Sequence, residues 1–217
     1  MMKKRKLAGL AAVLLLTVFL FGGCSKSDNF EPLQDCLYIR ENGTVEEALF
    51  DTLDKEYFSA DGLKSFIEDA VIRYNSDAAG IARAYEEEDE QLPVSIEKLE
   101  TDENNKAVLI LDYATPKHYI DFNGEAGLAR QLTTGSVESA LSVGVNLDVG
   151  LKAVKDGSAV SPDTIKKHGK YRVILIQGVT PVQVQGKVMY ISDNVTVIDK
   201  NVVSVNAEDE IAYIIFK

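Results

Sequence analysis

The chain has 217 residues, 46% hydrophobic and 26% charged, which supplies a buried core and excludes a wholly disordered chain. At this length a two-lobed solute receptor is also excluded. Lysine and arginine number 23 against 34 acidic residues, a net charge of −11, and a surface of that sign repels phosphate backbones, so nucleic acid is no partner.

The first element in chain order is a leader. Lys3, Lys4, Arg5 and Lys6 precede the apolar run Leu7 to Phe21, 15 residues long, which ends in Gly22, Gly23 and Cys24. A bilayer-spanning helix needs about 20 apolar residues. Residues 1–23 therefore read as a signal peptide rather than a membrane span. Its removal takes four cations away and leaves 19 against 34 acids, a net of −15.

Leu20-Phe21-Gly22-Gly23-Cys24 resembles a bacterial lipobox, with Phe21 where Leu is usual. The resemblance implies that Cys24 is the lipid attachment site and the mature N-terminus. Two or three acyl chains hold a protein on a membrane where one lets go. Residues 24–35 follow as a polar tether, SKSDNFE closed by Pro32. With Cys24 acylated, Cys36 is left without an intramolecular disulfide partner, and at the head of the apolar run CLYI it reads as core.

Residues 36–217 read as a single α+β extracytoplasmic domain. Cys36 to Arg40 and Thr44 to Leu53 flank Glu41-Asn42-Gly43, a hairpin signal. Ser59 is placed to cap a helix whose Leu63, Phe66, Ile67, Ala70, Val71 and Tyr74 share one face. From Asn75 to Gln91 the period fails, and a loop is expected. Val94 to Leu99 and Lys106 to Tyr113 form a second hairpin, and Thr115-Pro116 opens a short helix that stops at Asn123-Gly124. Leu141, Val143, Val145, Leu147, Val149 and Leu151 alternate with polar or glycine positions, which predicts a half-buried strand. Ser161-Pro162-Asp163 opens another short helix. Five segments then predict a C-terminal β-meander: Tyr171 to Gln177, Val182 to Ser192, Val195 to Asp199, Val202 to Asn206 and Ile211 to Phe216. The expected fold is α+β, a mainly antiparallel sheet with one longer amphipathic helix and one or two short ones.

Motifs for chemistry are sparse. His118 and His168 have no His or Cys at ligand spacing, so no transition-metal site is assigned, and both read as exposed or partly exposed. HExxH, GxGxxG, the phosphate loop and GxSxG are absent, and no cofactor is implied. Ser95-Ile96-Glu97-Lys98 and Ser192-Asp193-Asn194 match two of three motifs of serine β-lactamases and penicillin-binding proteins. The third, K-T-G, is missing, and Ser95 falls in a predicted strand. The acid run Glu86 to Glu90 offers oxygens to Ca²⁺ but no wrapping loop, and reads as solvated charge. Asp121-Phe122-Asn123-Gly124-Glu125 is explained by the helix stop. No catalytic, cofactor-binding or metal residue is assigned.

The segment Glu41 to Asn75, through Asn42-Gly43, Asp54, Tyr57, Leu63, Lys64, Ile67 and Tyr74-Asn75, resembles the opening of small cell-surface lipoproteins of clostridia-like Gram-positive bacteria. The resemblance implies a cell-surface location and no particular activity. The leading expectation is a lipid-anchored module at the outer face of the cytoplasmic membrane, in contact with an envelope protein or part of envelope structure. The alternative is capture of a small molecule or glycan between helix and sheet, and an envelope hydrolase comes third.

Overall fold

The computed structural model describes residues 30–53 and 59–217. The leader, Cys24, Asp54 and Tyr57 lie outside the described residues. No described helix is long and apolar enough to cross a membrane.

The domain is α+β, with a mixed, mostly antiparallel ten-stranded sheet and four α-helices. β1 (Cys36–Ile39) and β2 (Val45–Thr52) form the first hairpin. Its turn closes where Gly43 N–H donates to Arg40 O at 3.0 Å, and Gly43 sits at φ +94°, a conformation glycine adopts without penalty. α1 (Ala60–Ala79) starts at Ser59, whose hydroxyl accepts from Gly62 N–H at 3.0 Å, and stops at Gly80, φ +72°. β3 (Val94–Thr101) and β4 (Lys106–Tyr113) make the second hairpin. α2 (Pro116–Asn123) begins at Thr115, whose hydroxyl accepts from His118 N–H at 3.2 Å, and a 3₁₀ turn, Gly124–Ala126, follows it.

Next come β5 (Ala129–Ser136), α3 (Val137–Ser142), the two-residue β6 (Lys152–Ala153) and α4 (Pro162–Lys166). The chain closes with β7 (Arg172–Val184), β8 (Val188–Ile191), β9 (Val195–Asp199) and β10 (Val202–Phe216).

β7 and β10 pair antiparallel along their length and form the axis of the molecule. The early part of β7 carries β5 on its other edge, and the late part carries β1, in parallel. β10 likewise carries β9 early and β8 late, with β6 beyond β8. Two wings thus share one ladder. The strand order is β3-β4-β2-β1-β7-β10-β8-β6.

The register jumps from Ala207↔Gly178 to Ala212↔Ile176, an odd offset, so the inward face of β10 changes from Val203, Val205 and Ala207 to Ala212, Ile214 and Phe216. Those residues join Leu37, Ile39, Val45, Ile174, Ile176, Val71 of α1 and Tyr119 of α2 in the main core. A second core on the opposite face of β7 and β10 holds Val173 and Ile215 against Val137, Ala140, Leu147, Leu151 and Ile165.

Three expectations are corrected. The strand expected over Leu141 to Leu151 is instead the end of α3 followed by irregular chain. Ser136 caps α3 by accepting from Ser139 N–H at 3.0 Å, and Gly144 and Gly150 take φ of +85° and +71°, which a strand does not allow. Leu147 and Leu151 still bury their side chains, so the alternation reports burial without ladder pairing. The C-terminal β-meander is likewise replaced: β8 and β9 both lie against β10 rather than following one another across the sheet. β7 runs through Thr180-Pro181, where the sequence suggested a break. Three short helices stand where one or two were expected.

Gly178 sits where the two wings meet. A Cβ there would lie 2.5 Å from Leu128 O and 3.1 Å from Ala129 Cα, both backbone atoms that no side-chain rotation relieves. Gly178→Ala is expected to cost about 1–3 kcal/mol, read as a lower thermal midpoint. An unchanged midpoint would mean that β5 yields at no cost.

Candidate functional site

Neighbouring residues on a strand point to opposite faces, so Glu46 and Glu47 of β2 anchor two different polar clusters. Both are buried, at 6% and 1% exposure, which is rare for glutamate.

Glu47 points inward, under α2. Tyr113 Oη donates to its Oε2 at 2.9 Å, and Asn123 Nδ2 donates to the same oxygen at 3.1 Å. Asn123 Nδ2 also donates to Tyr113 Oη at 2.9 Å, and Ala129 N–H donates to Tyr119 Oη at 2.9 Å. No ion pair reaches Glu47 among the described residues. Burial pushes its carboxyl above the ordinary range, against the pull of these hydrogen bonds. Burial first, then the Glu47 charge, raises both Tyr113 and Tyr119, so the phenols keep their protons. At the rim, Tyr74 Oη and His118 Nδ1 are 2.9 Å apart, and burial lowers the His118 pKa.

Glu46 points outward, within a row that crosses four strands. Ser95, Asp112, Glu46 and Tyr38 face one another in register on β3, β4, β2 and β1. All four are buried, at 6% exposure or less. Arg40 sits over the row: its guanidinium pairs with Glu46, lies 3.5 Å from Asp112 Oδ2, and stands 5.4 Å from the Tyr38 ring centre. The Phe30 ring stacks on Tyr38 at 5.0 Å.

Two further carboxylates reach this row from other parts of the chain. Ile96 pairs with Leu111 and Lys98 with Ile110, which leaves Glu97 as the extra residue of a β-bulge. Bulges re-aim side chains in this way. Glu86 comes from the loop after α1, where it also accepts from Leu92 N–H at 2.9 Å. Carboxylate oxygens of Glu86, Glu97 and Asp112 all lie within 4.8 Å of one another.

The other residues singled out by sequence do not converge. Ser95 on β3 and Ser192 after β8 stand far apart in the strand order, and Ser192 Oγ donates to Asn194 Oδ1 at 2.6 Å. The β-lactamase-like pair is therefore not assembled. His168 stacks on Tyr171 at 4.5 Å and is partly exposed, as is His118. Cys36 is buried, and its thiol is pushed up to about 11 by burial and by Asp35, which makes it a poor nucleophile at neutral pH.

Glu46, Glu47, Asp112 and Asn123 carried no sequence signal as site residues. A glutamate pair inside a predicted apolar strand was the available hint, because an alternating strand allows one of the two to face water.

Several clefts lie at the surface among the described residues. One of about 390 Å³ lies beside Ser192, Asp193, Glu210 and Tyr213. Another of about 480 Å³ lies between α1 and residues 82–87. An apolar one of about 180 Å³, between Leu63 of α1 and Leu49, Leu53 and Leu109, is below the size of usual small-molecule pockets, about 300–1,000 Å³. Compared with known proteins, the chain matches no family model, no curated protein and no solved structure.

Proposed function

We propose that this chain is a lipoprotein anchored through Cys24 at the outer face of the cytoplasmic membrane, and that its α+β domain is a protein-interaction or envelope-structural module. The observation that carries the reading is the leader: four cations, an apolar run of 15 residues and Gly22-Gly23-Cys24.

Two features of the domain support it. Phe30 already packs on Tyr38, so six peptide steps separate it from Cys24. Fully extended, six steps reach about 20 Å. An acylated Cys24 would therefore hold the outward face of β1 and β2 close to the bilayer. The second feature is that both cores are made of well-buried side chains, while the clefts described above open at the surface. Such a surface suits contact with another protein.

Cys24→Ala is expected to abolish acyl labelling and release the protein from the membrane fraction. Crosslinking in cells, with mass spectrometry of what co-purifies, is expected to yield one envelope protein in near-stoichiometric amount that is lost in the same variant. Labelling that persists in Cys24→Ala would overturn the anchor, and no enriched protein would overturn the interaction role.

A further inference from the structure

We propose that Glu86, Glu97 and Asp112, with the hydroxyl of Ser95, form a binding site for a hard divalent cation of the size of Ca²⁺. Three observations meet at this point of the outward face.

The first is spacing. The three carboxylates come from a loop, a bulge and a strand, yet offer oxygens within 4.8 Å of one another. Ca²⁺ holds oxygens at about 2.4 Å, so oxygens bound to one ion lie no more than about 4.8 Å apart, a limit that these three carboxylates meet. Ca²⁺ accepts irregular sets of protein oxygens whereas Mg²⁺ demands a near-ideal octahedron, so donors drawn from a loop, a bulge and a strand suit Ca²⁺ better.

The second is the Ser95 hydroxyl. Ser95 is 1% exposed, and its Oγ has no hydrogen-bond partner among the described residues. It lies directly across the ladder from Asp112, on the same face, where facing Cβ atoms are about 5 Å apart. A buried hydroxyl left alone costs about 1–3 kcal/mol, and native proteins keep such groups for a ligand, an ion or a water. Here it shares a face with Asp112 as a further neutral oxygen.

The third is charge. Glu46 and Asp112 lie against the Arg40 guanidinium, and Glu86 and Glu97 bring two more carboxylates to within 4.8 Å of Asp112. Carboxylates so close repel one another, and a divalent cation relieves that repulsion. Glu97 is exposed and Glu86 half-buried, so an ion enters from solvent without opening the fold. All donors are oxygens, which selects hard cations over zinc or copper.

The test uses the full chain in detergent, stripped with chelator and titrated calorimetrically with CaCl₂ and separately with MgCl₂. One Ca²⁺ per chain is expected, with a dissociation constant of about 10⁻⁴–10⁻³ M, the range of extracellular modules, and weaker Mg²⁺ binding. Ca²⁺ is also expected to raise the melting temperature. Glu97→Gln, on an exposed side chain, is expected to weaken binding at least tenfold in a chain whose circular dichroism spectrum shows it folded. Ser95→Ala is expected to weaken it severalfold. Glu88→Gln, in the same acid run as Glu86 but outside the cluster, should bind as the wild type does. Cys24→Ala should too, which separates this inference from the anchor.

No saturable Ca²⁺ binding up to about 10 mM, well above that range, would overturn the proposal. Equal losses in Glu97→Gln and Glu88→Gln would overturn it as well, because the ion would then be held by diffuse negative charge.

Discussion

Asn75→Ala is expected to destabilise the domain by about 3 kcal/mol or more, seen as a fall in the urea midpoint with an unchanged slope. Asn75 is fully buried near the end of α1, and its carboxamide acts as a peptide group in the wrong place. Nδ2 donates to Val94 O at 2.7 Å and to Arg83 O at 2.8 Å, and Val94 N–H donates to Oδ1 at 3.0 Å. The free edge of β3 is thus closed by a side chain at Val94, and by Ala84 O, which accepts from Ile96 N–H at 2.8 Å, one step further along. Alanine leaves three backbone groups without partners, and each costs about 1–3 kcal/mol when buried. Asn75→Asp is a sharper control. It keeps the shape but turns a carboxylate oxygen toward two carbonyls, so it should be no more stable than alanine. A loss below about 1 kcal/mol in Asn75→Ala would mean that water reaches the edge and replaces the carboxamide.

The stability of the domain is expected to fall as pH rises above the ordinary glutamate range, and Glu47→Gln is expected to remove that fall. Burial raises the Glu47 pKa in the folded state above its ordinary value of 4.5. Between the two values the folded chain holds a proton that the unfolded chain has released, so unfolding becomes easier with each step upward in pH. The contribution is fully present below 4.5 and is lost as pH passes through the raised folded value. Glutamine is neutral throughout and still offers Tyr113 Oη an acceptor. Its advantage over the wild type should therefore grow from pH 4.5 toward neutrality. Glu47→Ala differs in kind: it strips the acceptor from Tyr113 Oη and Asn123 Nδ2, and should lie about 2–4 kcal/mol below Glu47→Gln at every pH. Urea titrations of the three chains across this range decide the matter. Parallel curves for wild type and Glu47→Gln would show that the carboxyl titrates alike in both states.

The two predictions concern groups of the same kind, polar side chains in the interior, and both were hidden for the same reason. In the sequence Asn75 is where the α1 period fails, and the expected loop begins there. In the structure the helix continues to Ala79, because the inward position is filled by a carboxamide whose partners lie 8 and 19 residues on. Glu47 likewise lies in a strand of the first hairpin, where the residues around it do not say what covers it. It is covered by α2, whose Asn123 ends the helix and also donates to the carboxylate.

What the sequence determined by itself was local. Asn42-Gly43 marked the first hairpin, Ser59 and Thr115-Pro116 marked helix starts, Gly124 marked a helix end and takes a positive φ, and residues 101–105 marked the second turn. Each of these rests on the conformational limits of one to four residues and their own backbone groups. The α+β class followed from the same signals. The tertiary structure alone decided the parallel pairing of β1 with β7, the union of two apparent strands into β10, and the conversion of the 141–151 alternation into covered coil. It also decided that Glu86, Glu97 and Asp112 meet. A pattern of apolar residues states that one side is buried but not what buries it. Pairing across long stretches of chain is settled only when the whole hydrophobic surface is covered at once.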